Sequence, residues 1–167
     1  MQFQVFIFRI CLTFIVDLAV IGLFFALTLP MPQTLANGSV IARRAANGKI
    51  FSYEVGPTNK NYVRLNNISR YLRASVIALE DARFYEHRGI DFEEVGNAVN
   101  TFFKGGRLRG ASTITQQLAK NLYLSPERTF RRKFWEAVIA INIEAQLPKN
   151  KILELYLNSI EWGRGLM

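Results

Sequence analysis

The hydrophobic pattern divides the chain into one continuous apolar run and a longer part in which apolar and polar positions alternate. The run Ile10–Leu29 contains 20 residues and a single charge, Asp17, which is the length that the hydrocarbon core of a bilayer requires. Asp17 costs about 2.5–3.5 kcal/mol near the middle of a span, whereas thirteen Leu, Ile, Val and Phe residues contribute about 4–8 kcal/mol in favour of insertion. The pattern therefore predicts one transmembrane helix.

The apolar run also resembles a secretory signal peptide, and that interpretation stays open as an alternative. Small residues precede Asn37 as they would at a cleavage site, but the run is longer than the usual apolar region of about 7–15 residues. Pro30 and Pro32 end the helix and a short polar linker follows. We assign residues 1–32 to an N-terminal membrane anchor and residues 33–167 to one domain.

The domain is predicted to begin with a small β-hairpin. Val40–Ala46 and Lys49–Val55 are rich in strand-forming residues, and they flank Asn47-Gly48, a dipeptide that favours tight hairpin turns. Residues 56–67 follow no regular pattern. We expect the hairpin to be a structural lead-in to the rest of the domain.

From Ser69 onward the apolar residues recur at spacings of three and four, which predicts a succession of helices. Capping residues, glycines and prolines set the predicted limits at Ser69 to Gly89, Asp91 to Phe103, Ser112 or Thr113 to Leu122, Ser125 to Pro148, and Lys149 to Asn158. The predicted buried positions of the third and fourth helices are Ile114, Leu118 and Leu122, and Phe130, Phe134, Val138, Ile141 and Ala145. The fold class is therefore mainly α.

Length and charge limit the possible partners. The 167 residues allow a membrane segment plus one domain of ordinary size. The formal net charge is +8, and because Arg9 and Asp17 cancel, the excess belongs to the part after Leu29. Such an excess suits an anionic partner such as lipid headgroups, a diphosphate or nucleic acid. The single cysteine, Cys11, excludes a disulfide framework within the chain.

The segment Glu80–Gly89, EDARFYEHRG, is the strongest candidate for chemistry because it combines two acids with the only histidine of the chain. Read as a helix, it places Glu80 in an apolar stripe, where desolvation would disfavour the ionised carboxylate and tune it for general-base catalysis. Asp81 beside it would add like-charge coupling. The alternative interpretation is an ordinary surface acid pair with Arg83 as a solvated partner.

Three further blocks follow in order: GASTITQQLAKN at Gly110–Asn121, RRKFWE at Arg131–Glu136 and KILELYLN at Lys151–Asn158. Together with Glu80–Gly89 they resemble the first four motifs of the peptidoglycan glycosyltransferases, glycosyltransferase family 51. The resemblance extends from about Leu65 to Gly165. It implies a lysozyme-like glycosyltransferase domain that polymerises lipid II into glycan strands with inversion at the anomeric carbon.

The resemblance also implies roles for individual residues. Glu80 would be the general base on the acceptor 4-hydroxyl, and Glu136 would be a second carboxylate that positions the sugar or the diphosphate. The implied substrate-binding residues are Asp81, Ser112, Thr113, Gln117, Lys120, Arg128, Arg132 and Lys133, with Lys120 and Arg128 on the donor diphosphate. A divalent cation, Mg²⁺ or Mn²⁺, is compatible with this chemistry, and the sequence presents no metal-ligand set of its own.

The implied setting is the bacterial inner membrane, with a single-pass anchor and the catalytic domain on the extracytoplasmic face. The implied partners are lipid II, the growing lipid-linked strand, the membrane and other cell-wall synthesis proteins, but not nucleic acid. Arginines stand on both sides of the apolar run, so the charge distribution alone does not orient it.

The chain departs from the family pattern at three places. Asn97 stands where arginine is usual, Arg109 stands where glutamine is usual, and the sequence stops at Met167, before a fifth motif. We therefore keep an alternative from another class, a catalytically incomplete membrane-anchored binder of lipid-linked glycan or of a synthesis partner. A lysozyme-like hydrolase that uses Glu80 as a general acid is a further alternative.

Overall fold

The computed structural model describes residues 2–29, 35, 38–46, 49–106, 110–125 and 129–160. The elements in chain order are α1 (Gln2–Thr28), β1 (Val40–Ala46), β2 (Lys49–Val55), a 3-10 helix (Leu65–Asn67), α2 (Arg70–Glu80), α3 (Phe92–Phe103), α4 (Ile114–Tyr123), α5 (Phe130–Gln146) and α6 (Lys149–Leu157). The chain divides into two compact units, Met1–Pro30 and Met31–Met167. The expected mainly helical class with one small sheet is confirmed.

The first unit consists of α1, which begins before the predicted apolar run and continues through most of it. Apolar side chains such as Leu12, Phe14 and Val16 are exposed along this helix. Counted over the residues that the structure describes, no helix is long and apolar enough to cross a membrane. The predicted span therefore stays a prediction.

The predicted hairpin is confirmed with its predicted bounds. β1 and β2 are antiparallel, with Val40 opposite Val55 at the open end and Ala46 opposite Lys49 at the turn. Ala42 and Val55 are almost fully buried, and β1 contacts α4. The Asn47-Gly48 turn itself lies outside the described residues. The sheet thus covers one side of the helical core.

Helix α4 is at the centre of the second unit, because it contacts α5, α6 and β1. Its buried residues are Ile114, Thr115, Gln116, Leu118, Ala119 and Leu122, which confirms the predicted apolar stripe. A reciprocal capping box opens the helix: the Thr113 hydroxyl accepts from the Gln116 N–H, and the Gln116 side chain accepts from the Thr113 N–H. The predicted cap at Thr113 is therefore confirmed.

Helix α2 ends at Glu80, so the prediction that it would continue to Gly89 was wrong. Asp81 leaves the helical conformation, with φ −164° and ψ 75°, and directs its carboxylate to the backbone N–H of Ile114 at the start of α4. A series of turns follows as far as Gly89. A contact between distant parts of the chain overrides the local helical spacing here.

The predicted start and buried face of α5 were also wrong. The helix begins at Phe130, and the Thr129 side chain, not that of Ser125, provides the N-cap. Its buried residues are Glu136, Ile139, Ala140 and Ile143, whereas the predicted core residues Phe130, Phe134 and Ile141 are 97%, 57% and 49% exposed. Small and β-branched side chains permit close packing against α4, which is why this face points inward.

Gly89 fixes the loop after α2 against α5. Its φ is +92°, which disfavours other residues, and a Cβ built there would lie 3.0 Å from the carbonyl carbon and oxygen of Ala140. The Gly89 carbonyl also accepts a hydrogen bond of 2.6 Å from the Thr113 hydroxyl. This one residue therefore meets a conformational, a steric and a hydrogen-bonding requirement.

Helix α6 agrees with its prediction, including the supporting roles of Glu154 and Asn158. The Glu154 carboxylate accepts from the Tyr62 hydroxyl at 2.5 Å and from the Leu65 N–H at 2.7 Å, and the Asn158 side chain bonds both backbone groups of Val63. Burial alone would raise the pKa of Glu154, but the bonds from Lys151, Tyr62 and Leu65 outweigh it and lower that pKa.

Replacing Gly89 by alanine is expected to lower the free energy of unfolding by about 1–3 kcal/mol, because the new Cβ strains the backbone and meets α5. Gly96→Ala is the matched control, since nothing lies within 4 Å of a Cβ on this exposed helical glycine. It should raise stability by about 0.5–1 kcal/mol. Urea denaturation in detergent measures both, and equal stability of the two variants would contradict this packing.

The lowered pKa of Glu154 predicts a pH dependence of stability. A carboxyl group whose pKa is lower in the folded protein contributes stability above its unfolded pKa, about 4.3, and loses it as the pH falls through the folded value. Glu154→Gln should therefore flatten the stability curve on the acid side, below the unfolded pKa of about 4.3. Glu86→Gln, which alters an exposed ion pair with Arg83, should leave that slope unchanged.

Candidate active site

A cleft of about 540 Å³ lies where the end of α2, the start of α3 and the segment before α4 meet. Four of the predicted site residues line it: Glu80, Asp81, Ser112 and Thr113. Glu94, a residue that the sequence analysis did not single out, lines it as well. The cleft therefore joins the first two of the four sequence blocks.

Glu80 is the last residue of α2, and its side chain is exposed. Its Oε2 accepts a hydrogen bond of 2.8 Å from Nε2 of Gln117, and Oε1 of Gln117 in turn accepts one of 3.1 Å from the Tyr156 hydroxyl. The apolar burial predicted for Glu80 was wrong, because the helix ends before Phe84 and His87 can share its face. A neutral amide, not desolvation, is what the structure provides to this carboxylate.

Asp81 faces the opposite way from its neighbour. It is buried, and its carboxylate accepts from Nε2 of His87 at 2.9 and 3.0 Å and from the Ile114 N–H at 2.9 Å. These bonds hold the end of α2 against the start of α4. Asp81 thereby holds Glu80 at the cleft, and direct substrate contact by Asp81 stays a prediction.

A second cluster connects the cleft to α5. Nζ of Lys133 donates to the Ser112 hydroxyl at 2.8 Å and to Oε1 of Glu136 at 2.5 Å. Glu136 is 3% exposed, whereas the Lys133 side chain is 49% exposed, so the pair extends from the core to solvent. Ser112 thus joins Lys133 and Glu136 to the wall that carries Glu80.

The remaining predicted cations are placed apart from this cluster. Lys120 is half-buried on α4, one turn after Gln117. Arg132 lines a separate cavity of about 250 Å³ at the start of α5, together with Arg131 and Thr129. Arg128 lies outside the described residues. The geometry consequently brings together the carboxylates, Ser112, Gln117 and Lys133, but not all of the predicted diphosphate contacts.

Comparison with known proteins identifies the family behind this site. A family model described as transglycosylase matches residues 47–167, which is more than half of the chain and includes β2 and the helices α2 to α6. The chain belongs to the transglycosylase family. The resemblance that the four sequence blocks indicated is confirmed.

Individual relatives of this transglycosylase chain have two kinds of name. A biosynthetic peptidoglycan transglycosylase of Thiobacillus denitrificans is 53% identical over 106 residues, which are 63% of this chain and 46% of that protein. Penicillin-binding protein 1F of Bacillus subtilis is 50% identical over 109 residues, and penicillin-binding protein 1A of Neisseria lactamica is 48% identical over 121 residues. These two matches include 65% and 72% of this chain. They include only 15% of each penicillin-binding protein.

Among the residues that the structure describes, one group has the composition of a metal site. One ligand atom each from Asp81, His87 and Asp91 lies within 4.8 Å of the others, and all three residues are buried. The two carboxylates are already engaged, since Asp81 binds His87 and Ile114, and Asp91 caps α3 and pairs with Arg83 at 3.4 Å. An arginine at the site and filled acceptors do not fit a resident divalent cation.

The sequence analysis missed Tyr156, because it gave this residue no role at the site. The residue is 2% exposed, and its hydroxyl reaches the amide that contacts Glu80. Burial, followed by the negative charges of Glu80 and Asp81, raises the pKa of this tyrosine. A buried tyrosine requires a partner for its hydroxyl, and that requirement is the signal that would have suggested a role beyond packing.

Proposed function

We propose that this transglycosylase domain polymerises lipid II into peptidoglycan glycan strands, with Glu80 as the general base. The observation that carries the proposal is an exposed carboxylate on a cleft wall, oriented by Gln117 and adjoining the Ser112–Lys133–Glu136 cluster. The name biosynthetic peptidoglycan transglycosylase, given to a relative 53% identical over the aligned residues, supports the substrate class.

In the proposed reaction Glu80 takes the proton from the 4-hydroxyl of the acceptor sugar. The oxygen of that hydroxyl forms the new bond to the anomeric carbon of the donor, and the bond from this carbon to the diphosphate breaks with its electron pair on the leaving group. Gln117 engages Oε2 of Glu80, so Oε1 is the oxygen that accepts the proton. Attack opposite the leaving group inverts the anomeric carbon.

The departing diphosphate requires positive charge, and the second cluster supplies it. Lys133 reaches solvent while Glu136 and Ser112 fix its ammonium group, which is therefore pre-positioned for an anion. Lys120, Arg128 and Arg132 would add charge around the same leaving group. Glu136 acts through Lys133 in this arrangement and positions the substrate without exchanging a proton.

A divalent cation, Mg²⁺ or Mn²⁺, would in this proposal arrive with the diphosphate it neutralises. The buried group of Asp81, His87 and Asp91 does not fit such an ion, for the reasons given above. The chain's own lysines and arginines therefore provide the fixed part of the charge stabilisation.

Transfer to a sugar hydroxyl is favoured over hydrolysis by the surroundings of Glu80. A hydrolase of the lysozyme type uses a protonated glutamate in an apolar pocket as general acid. Glu80 is instead exposed at the cleft, and the amide of Gln117 engages only one of its two carboxylate oxygens. It therefore suits a base.

The proposed location is the bacterial inner membrane, with α1 as a single-pass anchor and the domain on the extracytoplasmic face beside lipid II and cell-wall synthesis partners. The apolar run Ile10–Leu29 and the exposed apolar side chains of α1 support an anchor. The intact chain should remain with sedimented vesicles after carbonate washing, and a chain that lacks residues 1–32 should be released. Release of both would contradict the anchor.

Glu80→Gln is expected to lower turnover of lipid II by about 10²–10⁴-fold while substrate still binds, because the amide keeps the shape but accepts no proton. Polymerisation of labelled lipid II by purified protein, followed by sizing of the product, measures the turnover.

Lys120→Met serves as the contrasting variant, since it removes charge and leaves the base in place. It should weaken binding of a lipid diphosphate more than binding of the uncharged glycan. Near wild-type polymerisation by Glu80→Gln would remove Glu80 from the role of base, and Glu136 would become the next candidate.

A further inference from the structure

Three side chains from three helices form a hydrogen-bonded series that ends on Glu80. The Tyr156 hydroxyl of α6 donates to Oε1 of Gln117 on α4 at 3.1 Å, and Nε2 of Gln117 donates to Oε2 of Glu80 on α2 at 2.8 Å. The first member is 2% exposed and the last is exposed. The series therefore runs from the core to the cleft.

The chemistry of the three groups fixes the direction of these bonds. An ionised carboxylate only accepts, so the side chain of Gln117 must present its NH₂ group to Glu80 and its oxygen to Tyr156. The tyrosine hydroxyl must then be the donor. Without that hydroxyl, the amide can rotate and present its oxygen to the carboxylate, which is repulsive.

We propose that Tyr156 is a positioning residue of the transglycosylase, which holds the Gln117 amide with its NH₂ group toward Glu80 and so stabilises the charged form of the base. The inference rests on the proposed role of Glu80, to which it adds a residue outside the cleft lining. Tyr156 touches no substrate in this arrangement and acts only through Gln117.

The surroundings of Tyr156 suit a permanent donor. Ile152, Leu153, Leu155 and Leu157 on the same helix are all buried, so the ring has a fixed place in the core. The charged groups near its hydroxyl are Glu80 and Asp81, and His87 is bonded to Asp81. Because burial and the two carboxylates raise the pKa of Tyr156, the hydroxyl keeps its proton throughout the neutral range.

The test is Tyr156→Phe, which removes the hydroxyl and leaves the ring in the core. We expect kcat to fall by about 3- to 10-fold with KM little changed, which is the effect of one net hydrogen bond. KM should not rise as kcat falls, because Tyr156 contacts no substrate in the proposed arrangement. An unchanged kcat, or a loss that appears only in KM, would overturn the proposal.

Tyr123→Phe is the matched control. Tyr123 is a half-buried tyrosine whose pKa is raised to about 12 by burial, and among the described residues its hydroxyl has no hydrogen-bond partner. The same deletion of one oxygen should therefore leave kcat unchanged. A fall in kcat equal to that of Tyr156→Phe would mean that any loosened tyrosine has this effect, and it would overturn the specific role.

A double-mutant cycle tests whether the effect passes through Gln117. In a Gln117→Ala background, Tyr156→Phe should not lower kcat further, whereas full additivity of the two changes would contradict the series.

The side-chain NH₂ resonances of Gln117 give a readout that is independent of activity. They should be two separate, sharp signals in the wild type, where the amide is held in place, and they should broaden or coalesce in Tyr156→Phe. If the wild type does not polymerise lipid II but the resonances behave so, the proposed function fails and the positioning stands. Unchanged resonances would overturn the positioning.

Discussion

The carboxylate of Asp81 is the constraint on which the site depends. It accepts from the N–H of Ile114 and from His87, residues that are 33 and 6 positions away in sequence. These bonds end α2 at Glu80, the first residue of the first sequence block, and they tie that end to the first turn of α4. Since Asp81 turns inward, Glu80 beside it is left at the cleft, within reach of Gln117. Two adjacent acids thus receive opposite environments from a single change of backbone direction.

Helix α4, whose start is bonded to Asp81, lies between the core and the cleft. Its start is held by the Thr113–Gln116 capping box and by the bond from Thr113 to the Gly89 carbonyl, while Ile114, Leu118 and Leu122 pack inside. The amide that meets Glu80 is on the same helix. Helix α4 contacts α5, α6 and β1. A change in core packing that moves α4 therefore also moves the amide that is bonded to the base. Stability and site geometry are therefore coupled in this domain.

Local signals predicted the elements whose limits are set locally. The hairpin, the Asp91 cap of α3, the Thr113 cap of α4 and the limits of α6 all follow from capping and turn residues. The end of α2 and the buried face of α5 are decided instead by the Asp81 contact and by close packing near Ala140, which the sequence does not display. The types and the order of the residues indicated that the carboxylates and Lys133 belong to the site. The role of Tyr156 could be seen only from the three-dimensional arrangement.

The different surroundings of the two glutamates explain why the base should be Glu80 and not Glu136. Glu136 is 3% exposed and its carboxylate lies 2.5 Å from the ammonium of Lys133, so a proton placed on it would break a buried ion pair and leave the lysine unpaired. Glu80 has no such partner among the described residues and accepts only from a neutral amide, which can stay in place when the carboxylate is neutralised. Proton exchange is therefore inexpensive at Glu80 and costly at Glu136, and the buried pair is left to hold charge in position.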